Sequence, residues 1–442
     1  MNPTDTISDR AKAIMESPMR ADLEVYFDAL ENLYHPSKNP QGAFPLNMAE
    51  NTLGWNLLKS KIQQIQENEI VPDWASKYGN TLGVDSFRET VAQFLSTFLI
   101  GCPIQQEHLA FSSGLTSVID LSVFLLANEG DTAVFPAPAY PVYKNDIGAI
   151  PGIKRFDLQT HDTIDELSAG IPLDEKSLRQ ALKTLEESGE RFKILVLTHP
   201  DNPTGAVYSD KQLTLIADWC IDHRIHLVVN EIYGCSLIDT NHPAIAGDYP
   251  AQVSFRSFGN IMAAYKSPYL HLWYSFSKDF GISGFRVGLV HSYNEAFLNA
   301  YANANLTHSV SNYTQWILQC LLEDHDFIAD YLRQYQKELT ACYVMVVELL
   351  KKHQIPYVPS RGSLFVWIDL SDWLEENTDI GQEALWLDIY HATGVLLTPG
   401  EGFGHRQKGH FRLVISYHIP SHLRVALQRL DDYLQKTVRT KD

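Results

Sequence analysis

A chain of 442 residues is too long for one small core, so a large domain and a second, smaller one are expected. Hydrophobic residues make up 45% and charged residues 20%, the balance of an ordinary folded protein. With 35 basic against 53 acidic side chains the net charge is −18, which argues against nucleic acid or an anionic membrane as the main partner, since both are polyanions.

Five cysteines (Cys102, Cys220, Cys235, Cys320, Cys342) are scattered, odd in number and without a C-x-x-C pair. That pattern fits a reducing compartment better than a disulfide framework. The start, "MNPTDTISDRAKAIMESPMR", lacks the apolar core of a secretory signal, and no apolar run approaches the roughly 20 residues that span a bilayer. The expectation is a cytoplasmic, soluble protein.

In chain order, residues 1–45 are polar and mixed, with "HPSKNPQGAFP" reading as loop. Phe87, Val91, Phe94, Leu95 and Phe98 then share one face of a helix. Short apolar runs follow in alternation with helical stretches: "HLAFS" (108–112), "TAVFP" (132–136), "ILVLT" (194–198), "HLVVN" (226–230), "LWYSFS" (272–277) and "RVGLV" (286–290). Strands alternating with helices predict a mostly parallel α/β sheet covered on both faces. Beyond residue 310 a helical stretch covers roughly 312–352, and strands follow at 364–370 and 411–417. Ser421 is placed to cap a last helix with Leu423, Leu427, Leu430 and Leu434 on one side. The expected division is 1–60 as an N-terminal arm and part of the small domain, 61–320 as the large domain, and 321–442 as a connecting helix and the small α+β domain.

Ligands of such sheets bind beyond the carboxyl ends of the strands, so the turns there carry the chemistry. In "SSGLTS" (112–117), Gly114 allows a tight turn, and the free N–H groups of Leu115 and Thr116 form an anion nest at a helix start. "APAYPVY" offers Tyr140 as an aromatic platform, and "HPDNPTG" offers Asn202 as an amide donor. "NEIYG" supplies Asn230 and Tyr233, "SFSK" supplies Ser275 and Lys278, and Arg286 adds a fork for phosphate or carboxylate. Lys278 stands in an otherwise apolar stretch, and a lysine near cations and out of water becomes a nucleophile at neutral pH. Together these groups suit a flat, phosphorylated aromatic aldehyde.

"SFSKDFGISGFRVG" (275–288) resembles the S-x-S-K-x-x-x-x-x-G-x-R-x-G motif of fold-type I, pyridoxal-phosphate-dependent enzymes. More narrowly, it resembles that of the class I/II aminotransferases and the related aminocyclopropane-carboxylate synthases. "NPTG" (202–205) is similar to their N-P-x-G loop, and "PLNMAENTLGW" (45–55) to the synthases' Ala-Glu-Asn segment. "YGNTLGVDSFRETVAQF" (78–94) resembles their Y-x-x-x-x-G-x-x-x-x-R stretch. "TPGEGFGHRQKGHFRLVIS" (398–416) resembles the segment with their carboxylate-binding arginine. The likeness spans roughly residues 40–435 in family order.

The resemblance implies an α/β, aspartate-aminotransferase-like fold of type I, with a mostly parallel seven-stranded sheet in a large domain beside a smaller α+β domain. It implies pyridoxal 5'-phosphate as cofactor, an amino acid and a 2-oxo acid as substrates, and a homodimer with shared active sites. By the same resemblance Lys278 is the Schiff-base lysine and proton shuttle, and Ser275, Arg286, Leu115 and Thr116 hold the phosphate. Tyr78 reaches the phosphate of the neighbouring subunit, Tyr140 stacks on the ring, Asn202 and Tyr233 bind its 3′ oxygen, and Arg412 clamps the substrate carboxylate.

Two positions depart from the family. Its D-E-x-Y motif reads Asn230-Glu231-Ile232-Tyr233 here, and the usual aspartate keeps the ring nitrogen protonated. Asn230 can hydrogen-bond that nitrogen but brings no charge, and Glu231 points to the opposite face of the strand. A charge-assisted bond exceeds a neutral one by about 1–2 kcal/mol, so carbanion formation is expected to be at least about tenfold slower. Thr81 stands where the synthases carry a tyrosine, although Glu50 keeps part of their pattern.

The leading expectation is an aminotransferase, and the alternative is a lyase or replacement enzyme acting at Cβ or Cγ, including aminocyclopropane-carboxylate synthase-like chemistry. A ligand-binding regulator is disfavoured, because the residues before 45 leave no room for a winged-helix module. No metal site is expected: Pro420 separates His418 from His422, and His405 and His410 read as solvated. "GEGFG" (400–404) reads as a loop and residues 174–190 as an exposed helix face.

Overall fold

A computed structural model describes residues 3–16, 20, 22–167, 170–249, 253–437 and 439. Seven strands form the main sheet: β1 (Leu109–Ser112), β2 (Thr132–Ala137), β3 (Lys154–Gln159), β4 (Phe192–Thr198), β5 (His226–Asn230), β6 (Leu270–Ser275) and β7 (Gly288–Ser292). Their order is β1-β7-β6-β5-β4-β2-β3. Neighbours from β3 to β6 pair in parallel, while β7 runs antiparallel to both β6 and β1. The central strands are buried along their whole length, as two-sided helix cover requires, which is why they read as unbroken apolar runs.

Strand β3 escapes the sequence reading. Its "KRFDLQ" has one buried residue, Leu158, because an edge strand leaves most of its side chains near water. The stretch 312–352 is two helices, Asn312–Glu323 and His325–Lys352, with Asp324 between them accepting from the Phe327 N–H at 3.0 Å. The last helix, Pro420–Lys436, begins without a Ser421 cap: Pro420 occupies its first turn, where a missing N–H costs nothing. Leu423, Leu427 and Leu430 are its buried face. The helix Asp85–Phe94 runs on into a π turn, Leu95–Ile100, so Phe98 leaves the regular face.

A second sheet, β8 (Phe365–Asp369), β9 (Thr398–Pro399) and β10 (His410–Val414), is antiparallel with β10 in the middle. The segment 44–51 runs beside it. Phe44 donates to the Gly394 carbonyl at 2.7 Å, and Val414 donates to Leu46 at 2.9 Å. This segment then crosses to the main sheet, where Asn51 Nδ2 donates to the Lys278 carbonyl at 2.7 Å. His410 is a correction: it opens β10, is buried, and stacks on Trp367 with ring centroids 5.7 Å apart. The alternation of β10, invisible in the polar loop before it, turns that ring inward. Among the described residues no helix is long and apolar enough to cross a membrane.

Candidate active site

The carboxyl ends of β1, β4, β5 and β6 open on one edge of the main sheet, and the antiparallel β7 brings its beginning there. Gly288 pairs with both Ser112 and Ser275, so Arg286, two residues earlier, arrives at the same edge. A cavity of about 160 Å³ lies at this edge. Leu115, Thr116, Tyr140, Asn202, Asn230, Tyr233, Lys278, Arg286 and Arg412, all singled out in the sequence, line it.

Lys278 sits in a one-turn helix, Phe276–Asp279, whose neighbour Asp279 is fully buried. Burial pushes the Asp279 carboxyl up to about 7, and it bonds the Ser236 hydroxyl at 2.6 Å, the Tyr274 hydroxyl at 3.0 Å and the Cys235 N–H at 3.0 Å. That anchor, with Asn51 on the Lys278 carbonyl, fixes the turn so that the ε-amine points into the cavity, where it donates to the Ala49 carbonyl at 2.6 Å. Burial pulls the ammonium below its usual range. Glu50 opposes this, while Arg412, Arg286 and Arg20 add to it.

The helix Leu115–Leu126 begins at Gly114, whose φ of +84° suits glycine. A Cβ there would stand 2.1 Å from Arg286 Nη2, so the absent side chain lets the guanidinium lie across the helix start. The N–H groups of Leu115 and Thr116 have no acceptor within the helix and face the same space. This cradle of free N–H groups, positive dipole end and guanidinium fits a phosphate dianion.

Asn230 Nδ2 donates to the Tyr143 hydroxyl at 2.8 Å and Oδ1 accepts from the Ile232 N–H at 3.1 Å. Tyr143 also contacts Thr198 Oγ1 at 3.1 Å and meets Tyr140 edge-on, with centroids 5.4 Å apart. Burial pushes the Tyr140 hydroxyl up to about 12 and that of Tyr143 well above its ordinary range. Glu231, buried on the other face, accepts from Ser257 and Phe258 and does not line the cavity.

Arg412 comes from β10 and is 1% exposed, with its guanidinium 4.4 Å from the Phe365 ring centroid. It donates to Asn202 Oδ1 at 2.9 Å and the Asn47 carbonyl at 2.8 Å, while its Nε has no partner. A buried guanidinium that lines a cavity and keeps an unspent donor suits a carboxylate ligand.

Two sequence-named residues lie elsewhere. Ser275, fully buried at the end of β6, donates to the Val287 carbonyl at 2.7 Å and caps the lysine turn; Ser277 faces the cavity. Tyr78 is 97% exposed and lines a separate open groove with Thr81, whose hydroxyl bonds the Ala302 carbonyl at 2.7 Å. The sequence reading passed over Tyr143, Asp146 and Arg20, which also line the cavity. Tyr143 and Asp146 stand one helical turn apart after Tyr140, a spacing that could have revealed them. Arg20 lies on a polar stretch with no pattern.

The family model for aminotransferase class I and II matches residues 44–430. Among curated proteins, 1-aminocyclopropane-1-carboxylate synthase 7 of Arabidopsis thaliana is 28% identical over 420 residues, covering 92% of this chain and 91% of its own. The 1-aminocyclopropane-1-carboxylate synthase of Glycine max is 29% identical over 424 residues, covering 92% and 84%. Among solved structures, a double mutant of Thermus thermophilus aspartate aminotransferase superposes with a TM-score of 0.76 at 21% identity, over 96% of this chain and 99% of that one. An archaeal alanine:glyoxylate aminotransferase gives 0.78 at 16% identity, over 99% and 100%. The strand order above is thus that of the aspartate-aminotransferase-like fold. By a match that runs from the segment beside the small sheet to the last helix, this chain belongs to the class I and II aminotransferase family of pyridoxal-phosphate-dependent enzymes.

Proposed function

We propose that this chain carries pyridoxal 5'-phosphate on Lys278 and is an aminotransferase that moves the amino group of an amino acid to a 2-oxo acid. One observation carries the reading: a half-buried lysine shares a single cavity with an anion cradle at a helix start and with a buried, partly unspent arginine. When bound, the cofactor supplies an electron sink for the carbanion at the amino-acid α-carbon.

The chain's own residues do the rest. Arg286 and the Leu115 and Thr116 N–H groups hold the phosphate, with Ser277 beside them. Tyr140 covers the ring, and Asn202 and Tyr233 bind its 3′ oxygen. Arg412 would hold the α-carboxylate and so orient the amino acid in the cavity. Lys278 Nζ, whose ammonium form is disfavoured by burial and nearby cations, would be the group that carries the α-proton. Tyr78, exposed in one chain, completes the phosphate site of a second copy in a homodimer.

A second reading is elimination or replacement at Cβ or Cγ. It is favoured by Asn230, whose amide gives the ring nitrogen a neutral partner, and by the similarity to proteins named as aminocyclopropane-carboxylate synthases. An absorbance titration with each amino acid, before and after borohydride, tests both readings. Keto-acid-dependent return of the starting spectrum supports transfer; ammonia or a released leaving group without a 2-oxo acid requirement supports elimination.

A further inference from the structure

Arg20 enters the cavity from outside every block that resembles the family. Its side chain is 8% exposed and lines the wall with Arg412. Arg20 Nε donates to Asp22 Oδ1 at 2.8 Å, and its Nη2 pairs with Asp22 Oδ2. Asn47 Nδ2 braces that carboxylate at 2.7 Å. The Asn47 carbonyl meanwhile accepts from Arg20 Nη2 at 3.2 Å and from Arg412 Nη2 at 2.8 Å.

Two guanidiniums therefore converge on one carbonyl oxygen, with their Nη2 atoms within the sum of those distances, 6.0 Å. Like charges this close in a buried wall are held only at a cost, which an anion between them relieves. Asp22 takes one edge of Arg20, the Nε and Nη2 edge. Among the described residues, the other nitrogen, Nη1, meets only Met48 Sδ at 3.7 Å, a weak acceptor. Arg412 likewise keeps an unpartnered Nε. Arg20 thus keeps donor capacity at Nη1 in a residue that lines the cavity.

Position adds direction. Arg20 also lines the outer groove of about 660 Å³, whose rim carries both signs of charge, Lys144 and Arg406 beside the pairs Arg155–Asp157 and Lys408–Asp379. A substrate side chain leading from Lys278 toward that groove passes Arg20. The carboxyl carbons of a four- or five-carbon dicarboxylic acid stand roughly 4–5 Å apart, a span that suits two guanidiniums at this separation.

We propose that Arg20 binds a second carboxylate at the end of the substrate side chain, so that dicarboxylic amino acids and their 2-oxo acids are the preferred substrates. The inference rests on the amino-acid reading of the site. Arg412 takes the α-carboxylate, Arg20 the distal one, and Asp22 is a positioning residue that holds the Arg20 fork without blocking its free nitrogen.

The test uses the full chain purified with pyridoxal phosphate supplied. Calorimetric titration compares succinate with butyrate, which has the same carbon count and one carboxylate fewer. Succinate is expected to bind at least tenfold tighter, and Arg20→Met is expected to abolish most of that ratio while Arg20→Lys keeps part of it. In turnover, the kcat/KM ratio of glutamate over leucine is expected to fall at least tenfold in Arg20→Met. Equal binding of the two acids by the unmodified protein, or an equal proportional loss for both in Arg20→Met, overturns the inference. If Arg20→Met does not fold, the succinate-to-butyrate ratio of the unmodified protein decides. Succinate preference without reaction of any amino acid defeats the proposed function and the substrate assignment and leaves only the Arg20 carboxylate site standing; reaction without that preference overturns the inference and leaves the proposed function.

Discussion

Asn230 Nδ2 donates to the Tyr143 hydroxyl at 2.8 Å, so the residue that departs from the family motif is held by a hydroxyl that can reverse its role. An aspartate at this position would accept from Tyr143 rather than donate to it, with no change in heavy-atom placement. Asn230→Asp is therefore expected to fold, to hold the ring nitrogen protonated, and to raise the transamination rate at least about tenfold. Single-turnover kinetics with one reactive amino acid measure this. An unchanged or lower rate shows that the neutral partner is matched to other chemistry.

Removing the amine of Lys278 takes away both the covalent anchor and the proton carrier. Lys278→Ala is expected to lose the borohydride-fixed label and to slow turnover by about 10²–10⁴-fold or more. Mass spectrometry of the reduced protein locates the label, and a labelled peptide elsewhere in the chain contradicts the assignment.

Gly114→Ala places a Cβ where Arg286 Nη2 now stands, at 2.1 Å, on a backbone with φ of +84°. The guanidinium must move off the helix start, and charge-assisted bonds of about 1.5–3 kcal/mol are lost. The expected result is at least tenfold weaker cofactor retention on dialysis. Retention equal to that of the unmodified protein removes Arg286 from the phosphate site.

Tyr78→Phe and Lys278→Ala spoil different chains of a shared site. Mixed by co-expression, they are expected to regain activity in heterodimers, because one site then has both an intact lysine and an intact tyrosine. Absence of any regain argues that each chain is self-sufficient.

Glu231 lies on the far side of β5 from the cavity, and burial pushes its carboxyl up from an ordinary 4.5 to about 8, against bonds from Ser257 and Phe258. Between those values the folded chain holds a proton that the unfolded chain releases, so this contribution to stability is full below pH 4.5 and is lost as pH rises through 8. Glu231→Gln keeps the carboxyl's shape without its titration. It is expected to flatten stability against pH by about 1.4 kcal/mol per pH unit at most over that window. Denaturant unfolding at several pH values checks the slope, and parallel curves for the two proteins refute it.

The chain's local chemistry was enough to reveal the sheet and most of the pocket. Strands β2, β5 and β6 are buried on both faces and so read as apolar runs, and each ends in a turn whose residues face the ligand edge. Lys278, Arg286 and Gly114 could be placed at this edge because their positions depend on short-range spacing and backbone conformation, which sequence carries directly. Tertiary packing alone decided the remainder. Edge strand β3 hides in polar residues because only Leu158 of its side chains is buried. Ser277 rather than Ser275 faces the cavity because the strand ends and a one-turn helix begins between them. Arg20 reaches Arg412 only through a carbonyl of Asn47, a meeting of three distant segments that no spacing encodes, since it is fixed by how the arm packs beside the small sheet.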